Sequence, residues 1–234
     1  MRNLLFMTLA CLMMQSCDNG NGSQSVAELD NVEVKCRNLQ YSKALNFNDE
    51  MLKEDGDILR ITAGEQTDLF CDPKGIATNT TAPVLLTPVD NTKPFTFTAK
   101  VEPQFTEAGT YSAGAIMAYV DKMHWQKLCF EQDEDGNHRI VTVRTIEISD
   151  DNNHERVDSA AVYLRFSSDT QVIGSYYSED GKNWHLVRIY KNEFPDELYL
   201  SISAQSPKDK SHTCLFSETT LEYRPVANFR KGNF

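Results

Sequence analysis

The sequence has few positive charges and only one long apolar run. Its 234 residues include 23 Lys and Arg against 34 Asp and Glu, which gives a formal net charge of −11. This balance argues against a broad basic surface for nucleic acid or for an anionic membrane. The apolar run, residues 4–14, is shorter than the roughly 20 residues that a membrane-spanning helix needs. A polytopic membrane protein is therefore excluded, and no nucleic-acid partner is expected.

Several signatures of common enzyme classes are also missing from the sequence. It has no Cys-x-x-Cys pair or Cys/His cluster with the spacing of a zinc site, and no Gly-x-Ser-x-Gly nucleophile elbow. It also lacks a convincing amphipathic helix. With 40% hydrophobic residues the chain is long enough to bury a core, so disorder is not expected.

The N-terminus has the pattern of a bacterial lipoprotein signal. Arg2 precedes the apolar run, and Ser16 places a small residue directly before Cys17. We expect a signal peptide over residues 1–16, lipidation of Cys17, a flexible tether over residues 17–31 and a single folded domain over residues 32–234. The acyl chains would anchor the protein, so it would reside in the bacterial cell envelope, in the periplasm or on the outer-membrane surface.

The cysteines are then interpreted for an oxidising compartment. Cys11 leaves with the signal and Cys17 carries lipid, so four cysteines remain in the folded domain and allow three pairings. Buried free thiols or one disulfide are both consistent with this count. The pair to test first is Cys36 with Cys214, on the assumption that the terminal strands are neighbours.

Residues 95–102 alternate apolar and polar side chains without a break, which is typical of a strand with one face on a core. Turn sequences separate several similar stretches, as at residues 135–137 and 180–183, whereas residues 150–153 look like a longer polar loop. Further strands are predicted at residues 58–62, 115–120, 124–131, 139–146, 162–167, 171–178, 184–190, 198–204 and 213–223. Many short strands at regular spacing predict an all-β, two-sheet antiparallel jelly-roll sandwich.

The predicted strand at residues 124–131 carries the candidate binding residues. Because side chains alternate along a strand, Trp125, Lys127, Cys129 and Glu131 share one face. An indole can cover the C–H groups of a sugar while charged groups hydrogen-bond its hydroxyls. The alternative is a solvated sheet face on which Lys127 and Glu131 form a weak ion pair.

These residues also carry a resemblance to a known family. The stretch AIMAYVD at residues 115–121, followed by WQKLCFE at residues 125–131, resembles the central motif of the bacterial family called domain of unknown function 1349. The match continues in order at residues 67–70, 164–167, 177–184 and 204–207, and covers residues 58–221. The resemblance implies a concanavalin A-like lectin/glucanase fold and, since the family is associated with bacterial polysaccharide use, an oligo- or polysaccharide ligand. Tyr119 stands where the family usually has Arg, and Asp151 where it often has a Trp that could stack on sugar.

Acidic residues follow the same strand. Hydrolysis of a glycosidic bond needs two carboxylates about 5 to 9.5 Å apart. Glu131, Asp133 and Asp135 have a suggestive spacing, but residues 132–136 run directly into a turn, which favours a solvated hairpin. The same acids could hold Ca²⁺, although the calcium-loop pattern is incomplete, so no metal or other cofactor is predicted.

Three classes of function remain open. The first is a non-catalytic, lipid-anchored carbohydrate-binding protein of a polysaccharide-utilisation system that uses Trp125, Lys127, Glu131 and Tyr119. The second is a glycoside hydrolase or lyase with Glu131 as general acid or base and a partner carboxylate such as Asp121. The third is a surface scaffold or adhesin without a small ligand. The sequence favours the first.

Overall fold

The computed structural model describes residues 29–234, which form strands joined by turns and one 3-10 helix, Asp49–Met51. Within this range no helix is long and apolar enough to cross a membrane. In chain order the strands are β1 (Asp30–Cys36), β2 (Leu39–Leu45), β3 (Leu52–Asp55), β4 (Ile58–Gly64), β5 (Leu69–Cys71), β6 (Thr78–Thr80), β7 (Val84–Asp90), β8 (Phe95–Pro103), β9 (Ala113–Asp121), β10 (His124–Gln132), β11 (His138–Ile146), β12 (Ile148–Arg156), β13 (Val162–Ser168), β14 (Val172–Ser178), β15 (His185–Lys191), β16 (Glu197–Gln205) and β17 (Ser211–Glu222).

The strands form two large antiparallel sheets and one short ribbon. The eight-stranded sheet has the order β1-β2-β7-β16-β9-β10-β11-β12, and the seven-stranded sheet has the order β15-β14-β13-β8-β17-β4-β3. Strands far apart in sequence, such as β7 and β16, are neighbours, so the chain crosses repeatedly between the sheets. β5 and β6 pair only with each other. The predicted two-sheet jelly roll is confirmed.

Alternation of side chains gives the eight-stranded sheet two buried faces. On β10, Leu128 and Phe130 point into the core between the sheets, where they meet Phe97 of β8 and Phe166 of β13. The intervening residue Cys129 points to the opposite face, which we call the outer face. The outer face has its own apolar cluster and is partly covered by the β5–β6 ribbon, which contributes Leu69.

Several stretches of the chain differ from the sequence-based expectation. The polar stretch 150–153, expected to be a loop, lies in β12, whose backbone pairs with β11 from Ile148 to Arg156. β12 is an edge strand with mostly exposed side chains, and backbone pairing does not require apolar ones. β7 is not among the predicted strands, and the poorly readable N-terminal region contains β1, β2 and β3. β1 begins at Asp30, two residues before the expected start of the domain.

The Cys36–Cys214 disulfide, the pairing to test first, is wrong for this structure. All four described cysteines are buried free thiols, which is the other alternative that the sequence left open. Cys36 lies on β1 of the eight-stranded sheet and donates a hydrogen bond to the Asp57 carbonyl at 3.0 Å. Cys214 lies on β17 of the other sheet, where its Sγ fills the space beside Gly114. Cys17 and the expected signal peptide lie outside the described residues.

Candidate functional site

Strand register places the candidate site at one end of the outer face. On β10, Lys127 pairs with Met117 of β9 and Val143 of β11, and Glu131 pairs with Ala113 of β9. Ala113 in turn pairs with Gln205 of β16. Because Ala113 has only a methyl side chain, Gln205 and Glu131 reach each other across β9, with Gln205 Nε2 donating to Glu131 Oε2 at 3.3 Å.

Lys127 connects this pair to the β5–β6 ribbon. Its Nζ donates to Gln205 Oε1 at 2.8 Å and lies 3.5 Å from Asp68 Oδ1. Asp68 directly precedes β5. The result is a chain of contacts from Asp68 through Lys127 and Gln205 to Glu131. Lys127 is only 3% exposed and Glu131 8%, so both groups are held in a polar network rather than in free solvent.

Burial and charge shift the protonation of this network. Burial raises the pKa of Glu131 to about 8, although Lys127 acts in the opposite direction. Burial lowers the pKa of the Lys127 ammonium, but Asp68 and the other nearby acids outweigh this effect, so its pKa is raised. Burial also raises the pKa of Asp151 on β12. Lys127 therefore stays charged at neutral pH, while Glu131 retains a proton.

The ribbon is anchored to the sheet at both ends. The backbone N–H of Cys71 donates to Ser149 Oγ on β12 at 2.9 Å, and the backbone of Thr67 bridges to Ser206 after β16. These contacts hold Asp68 and Phe70 over the outer face.

A cleft of about 660 Å³ lies between the ribbon and strands β10, β11, β12 and β16. Carboxylates and amides dominate its walls, with two aromatic rings and two lysines. The lining residues are Glu65, Gln66, Asp68, Phe70, Asn79, Tyr111, Lys127, Glu131, Asp133, Glu134, Val141, Val143, Asp151, Asn153, Gln205, Pro207 and Lys208.

The hairpin after β10 is more ordered than the predicted solvated turn. Asp133 is buried, and its Oδ2 accepts hydrogen bonds from Arg139 Nε at 3.0 Å and Nη2 at 2.9 Å. Asn137 donates to the same carboxylate. Burial acts to raise the pKa of Asp133, but these hydrogen bonds from Asn137 and Arg139 outweigh it and the pKa is lowered. Asp133 is thus ionised, and Arg139 and Asn137 bind its carboxylate at the rim of the cleft.

Of the four predicted binding residues, the structure brings two into the cleft. Lys127 and Glu131 line it, as alternation on the strand predicted. The expectation that Trp125 stacks on a ligand is wrong, because its ring is 0% exposed in the apolar cluster of the outer face. The indole N–H donates to the Lys122 carbonyl at 3.1 Å, and the ring lies 5.8 Å from Lys127 Nζ. Tyr119 pairs with Trp125 across the strands and is buried in the same cluster.

The proposed catalytic partner Asp121 is in the wrong place. It pairs with His124 at the opposite end of β10 from Glu131. The seven-residue separation along the strand corresponds to roughly 23 Å. This exceeds the separation that glycoside hydrolysis allows between two carboxylates, so Asp121 cannot act with Glu131.

Most residues of the cleft walls could not be identified from the sequence. Asp68, Phe70 and Gln205 lie in stretches that match the family motif, but the motif assigns no role to them. In the sequence, Asp151 is notable only because it occupies a position where the family often has a Trp. The structure places its carboxylate in the cleft. Tyr111, in the turn before β9, gives no signal in the sequence. Among residues 29–234, no group of three or more His, Cys, Asp or Glu side chains is arranged to hold a metal ion.

Comparisons with known proteins agree with this fold. A functionally unknown protein from Saccharomyces cerevisiae has a similar structure, with a TM-score of 0.70, 23% identity and coverage of 77% of this chain and 95% of that one. Lectin I-B4 from Griffonia simplicifolia, in its metal-free form, matches with a TM-score of 0.50 and 14% identity over 74% of this chain and 90% of the lectin.

The GH43 protein BlXynB from Bacillus licheniformis matches with a TM-score of 0.56 and 17% identity over 72% of this chain. This chain covers only 33% of that enzyme, so the likeness concerns one part of it. No curated protein matches the sequence. The family model described as "Protein of unknown function (DUF1349)" matches residues 45–224, and the chain therefore belongs to that family.

Proposed function

We propose that the protein binds an oligo- or polysaccharide in the outer-face cleft without hydrolysing it. The observation that carries this proposal is the cleft itself, whose volume of about 660 Å³ is typical of small-ligand sites. Its carboxylates and amides can accept and donate hydrogen bonds to sugar hydroxyls. The shared fold of a lectin and of GH43 proteins supports the same interpretation.

The aromatic contact would come from Tyr111 and Phe70 rather than from Trp125. Tyr111 lines the cleft and is 37% exposed, and Phe70 lies partly buried on the ribbon. An aromatic ring with an open face can cover the apolar C–H side of a sugar ring. The two rings thus replace the buried indole as candidate stacking surfaces.

Replacing Tyr111 should weaken glycan binding about tenfold, since an aromatic contact contributes roughly 0.5–1.5 kcal/mol beyond its buried area. Tyr111 has a positive φ of 61°, so Tyr111→Asn is the suitable variant because Asn tolerates this conformation. The measurement is binding to a glycan array followed by calorimetry with the best ligand. The control is Tyr223→Asn, which removes an exposed tyrosine, 64% exposed, beyond β17 on the other sheet. Absence of any bound glycan, or equal losses in both variants, would contradict the proposal and favour a scaffold without a small ligand.

Glycoside hydrolysis is a second candidate, favoured by the protonation of Glu131. A buried carboxylic acid that keeps its proton near neutral pH is suited to act as a general acid. Asp68, connected to Glu131 through Lys127 and Gln205, would take the place of Asp121 as the second carboxylate. Release of reducing ends from a bound glycan, abolished in Glu131→Gln while binding persists, would establish this activity. A bound glycan that stays intact would support the binding protein.

We also propose that the protein is a lipid-anchored component of a polysaccharide-utilisation system at the bacterial cell envelope. The support is the sequence around Cys17 and the polar stretch that follows it. Cys17→Ser should abolish incorporation of labelled fatty acid and release the protein from the membrane fraction. Cys11→Ser, in the expected signal peptide, should leave both unchanged. Membrane attachment that survives Cys17→Ser would refute this anchor.

A further inference from the structure

The cleft has a marked excess of negative charge. Two lysines, Lys127 and Lys208, are the basic side chains on its walls. The acidic side chains there are Glu65, Asp68, Glu131, Asp133, Glu134 and Asp151. Such a cleft repels an anionic ligand, and its field attracts a cation.

Three of the nearby basic groups already contact acidic or amide side chains. Arg139 is bound to Asp133 through two nitrogens, and Lys127 lies between Gln205 and Asp68. Arg188 contacts Asp150 at 3.5 Å, and Lys208 is exposed at the rim.

The side chain of Glu131 is bound by a neutral amide rather than by a cation. It is more than nine-tenths buried and lines the cleft. Among the described residues, Gln205 Nε2 makes the hydrogen bond to its side chain, at 3.3 Å. A buried carboxylate is disfavoured unless a charged or hydrogen-bonding partner compensates it. A ligand group that carries a positive charge and several N–H donors would supply this partner.

We propose that the cleft selects glycans whose sugars carry a free amine, with the ammonium group bound between Glu131 and the acids facing it, including Asp151. This inference rests on the proposed carbohydrate-binding function and specifies its ligand class. An ammonium offers three donors and one positive charge, so it can satisfy Glu131 and reduce the excess negative charge together. An acetylated amine has lost that charge, a hydroxyl never had it, and a uronic acid adds a further negative charge.

The test is an array of matched glycans that differ only at C2 of the sugar, which carries an amine, an N-acetyl group or a hydroxyl. The array includes gluco and galacto series in both anomeric linkages. Uronic acid oligomers are tested on the same array. At about pH 7 most of the amine is protonated, and an ammonium placed beside Glu131 favours release of the proton that this carboxyl keeps in the free cleft. We expect the amine member of at least one series to bind at least tenfold more tightly than its partners. Glu131→Gln and Asp151→Asn should each reduce that preference severalfold. Asp135→Asn, an exposed acid on the same hairpin that does not line the cleft, should leave it unchanged.

The outcomes separate this inference from the proposed function. Equal binding within each series, or preference for acetylated, neutral or uronic sugars, overturns amine selection but leaves carbohydrate binding in place. An amine preference that survives both cleft substitutions overturns the assignment to Glu131 and Asp151. If no glycan of any class binds, the proposed function itself fails, and this inference fails with it.

Discussion

Lys127→Met is expected to lower the free energy of unfolding by about 3 kcal/mol at neutral pH, the lower end of the range found when one partner of a buried ion pair is removed. Lys127 is 3% exposed and contacts Asp68, whose side chain is 15% exposed. Methionine keeps most of the length of the side chain but none of its charge. The loss of unfolding free energy therefore measures the electrostatic contribution of the ammonium, because the acids around the cleft are left without their buried cation.

The sign of the pH dependence follows from the direction in which the pKa of Lys127 moves. The pKa of its ammonium is raised in the folded protein, so its stabilisation is fully present below the ordinary lysine value of about 10.4 and is lost only as the pH rises through the folded value. At neutral pH, the difference in unfolding free energy between wild type and variant therefore includes the whole contribution of the Lys127 charge. As the pH falls, protonation of nearby acids whose pKa is raised, such as Asp151, removes charges that Lys127 compensates, so the difference between wild type and variant should shrink.

Urea unfolding at about pH 7 and about pH 4 checks this prediction, with the slope of the transition compared between variants. Lys100→Met is the matched control, because Lys100 is partly exposed on β8 and lies 3.9 Å from Glu218. We expect a change within about 0.5 kcal/mol for this surface substitution. Equal losses at Lys127 and Lys100 would show that the charge of Lys127 has no special role in the fold.

The alternation on β10 was sufficient to predict that Lys127 and Glu131 share a face, because the period of two is a local property of a strand. Their partners could not be found this way. Gln205 reaches Glu131 only because β16 and β10 flank β9 in one register, and Asp151 reaches the cleft only because β12 pairs with β11. Register between strands distant in sequence depends on packing of the whole sheet.

The burial of Trp125 was unpredictable for a different reason. The β5–β6 ribbon, which contributes Leu69 to the same apolar cluster, has strands of only three residues. Such strands are too short to show a period, and residues 72–77 between them contain Pro and Gly, typical of a loop. The sequence therefore showed the face on which the indole lies but not the ribbon beside it.

Glu131→Gln is expected to stabilise the protein, increasingly so as the pH rises. The pKa of Glu131 is raised to about 8 in the folded protein, compared with an ordinary value of about 4.3. Between these values the folded protein binds more protons at this site than the unfolded chain, so wild-type stability falls as the pH rises. Each tenfold difference in proton affinity between the folded and unfolded states corresponds to about 1.4 kcal/mol, which gives a change of a few kcal/mol across this window.

Glutamine removes the titrating group and keeps a carbonyl oxygen that can accept the hydrogen bond from Gln205 Nε2. Urea unfolding at about pH 5 and about pH 9 should show similar stabilities for wild type and variant in acid and a clear advantage for Glu131→Gln in base. Asp135→Asn, on the exposed turn of the same hairpin, is the control and should show no comparable gain. A variant that is less stable than wild type at about pH 9 would mean that ionised Glu131 is well compensated in the folded state.

The double variant Lys127→Met/Glu131→Gln connects the two predictions. If the groups interact within one network, the loss caused by Lys127→Met at about pH 9 should be smaller in the Glu131→Gln background by roughly 0.5–3 kcal/mol, the usual range for residues in contact or in a shared network. Additive effects would show that Lys127 is held by Asp68 alone. In that case Glu131 would be independent of Lys127, and an external cation would be the partner that its burial requires.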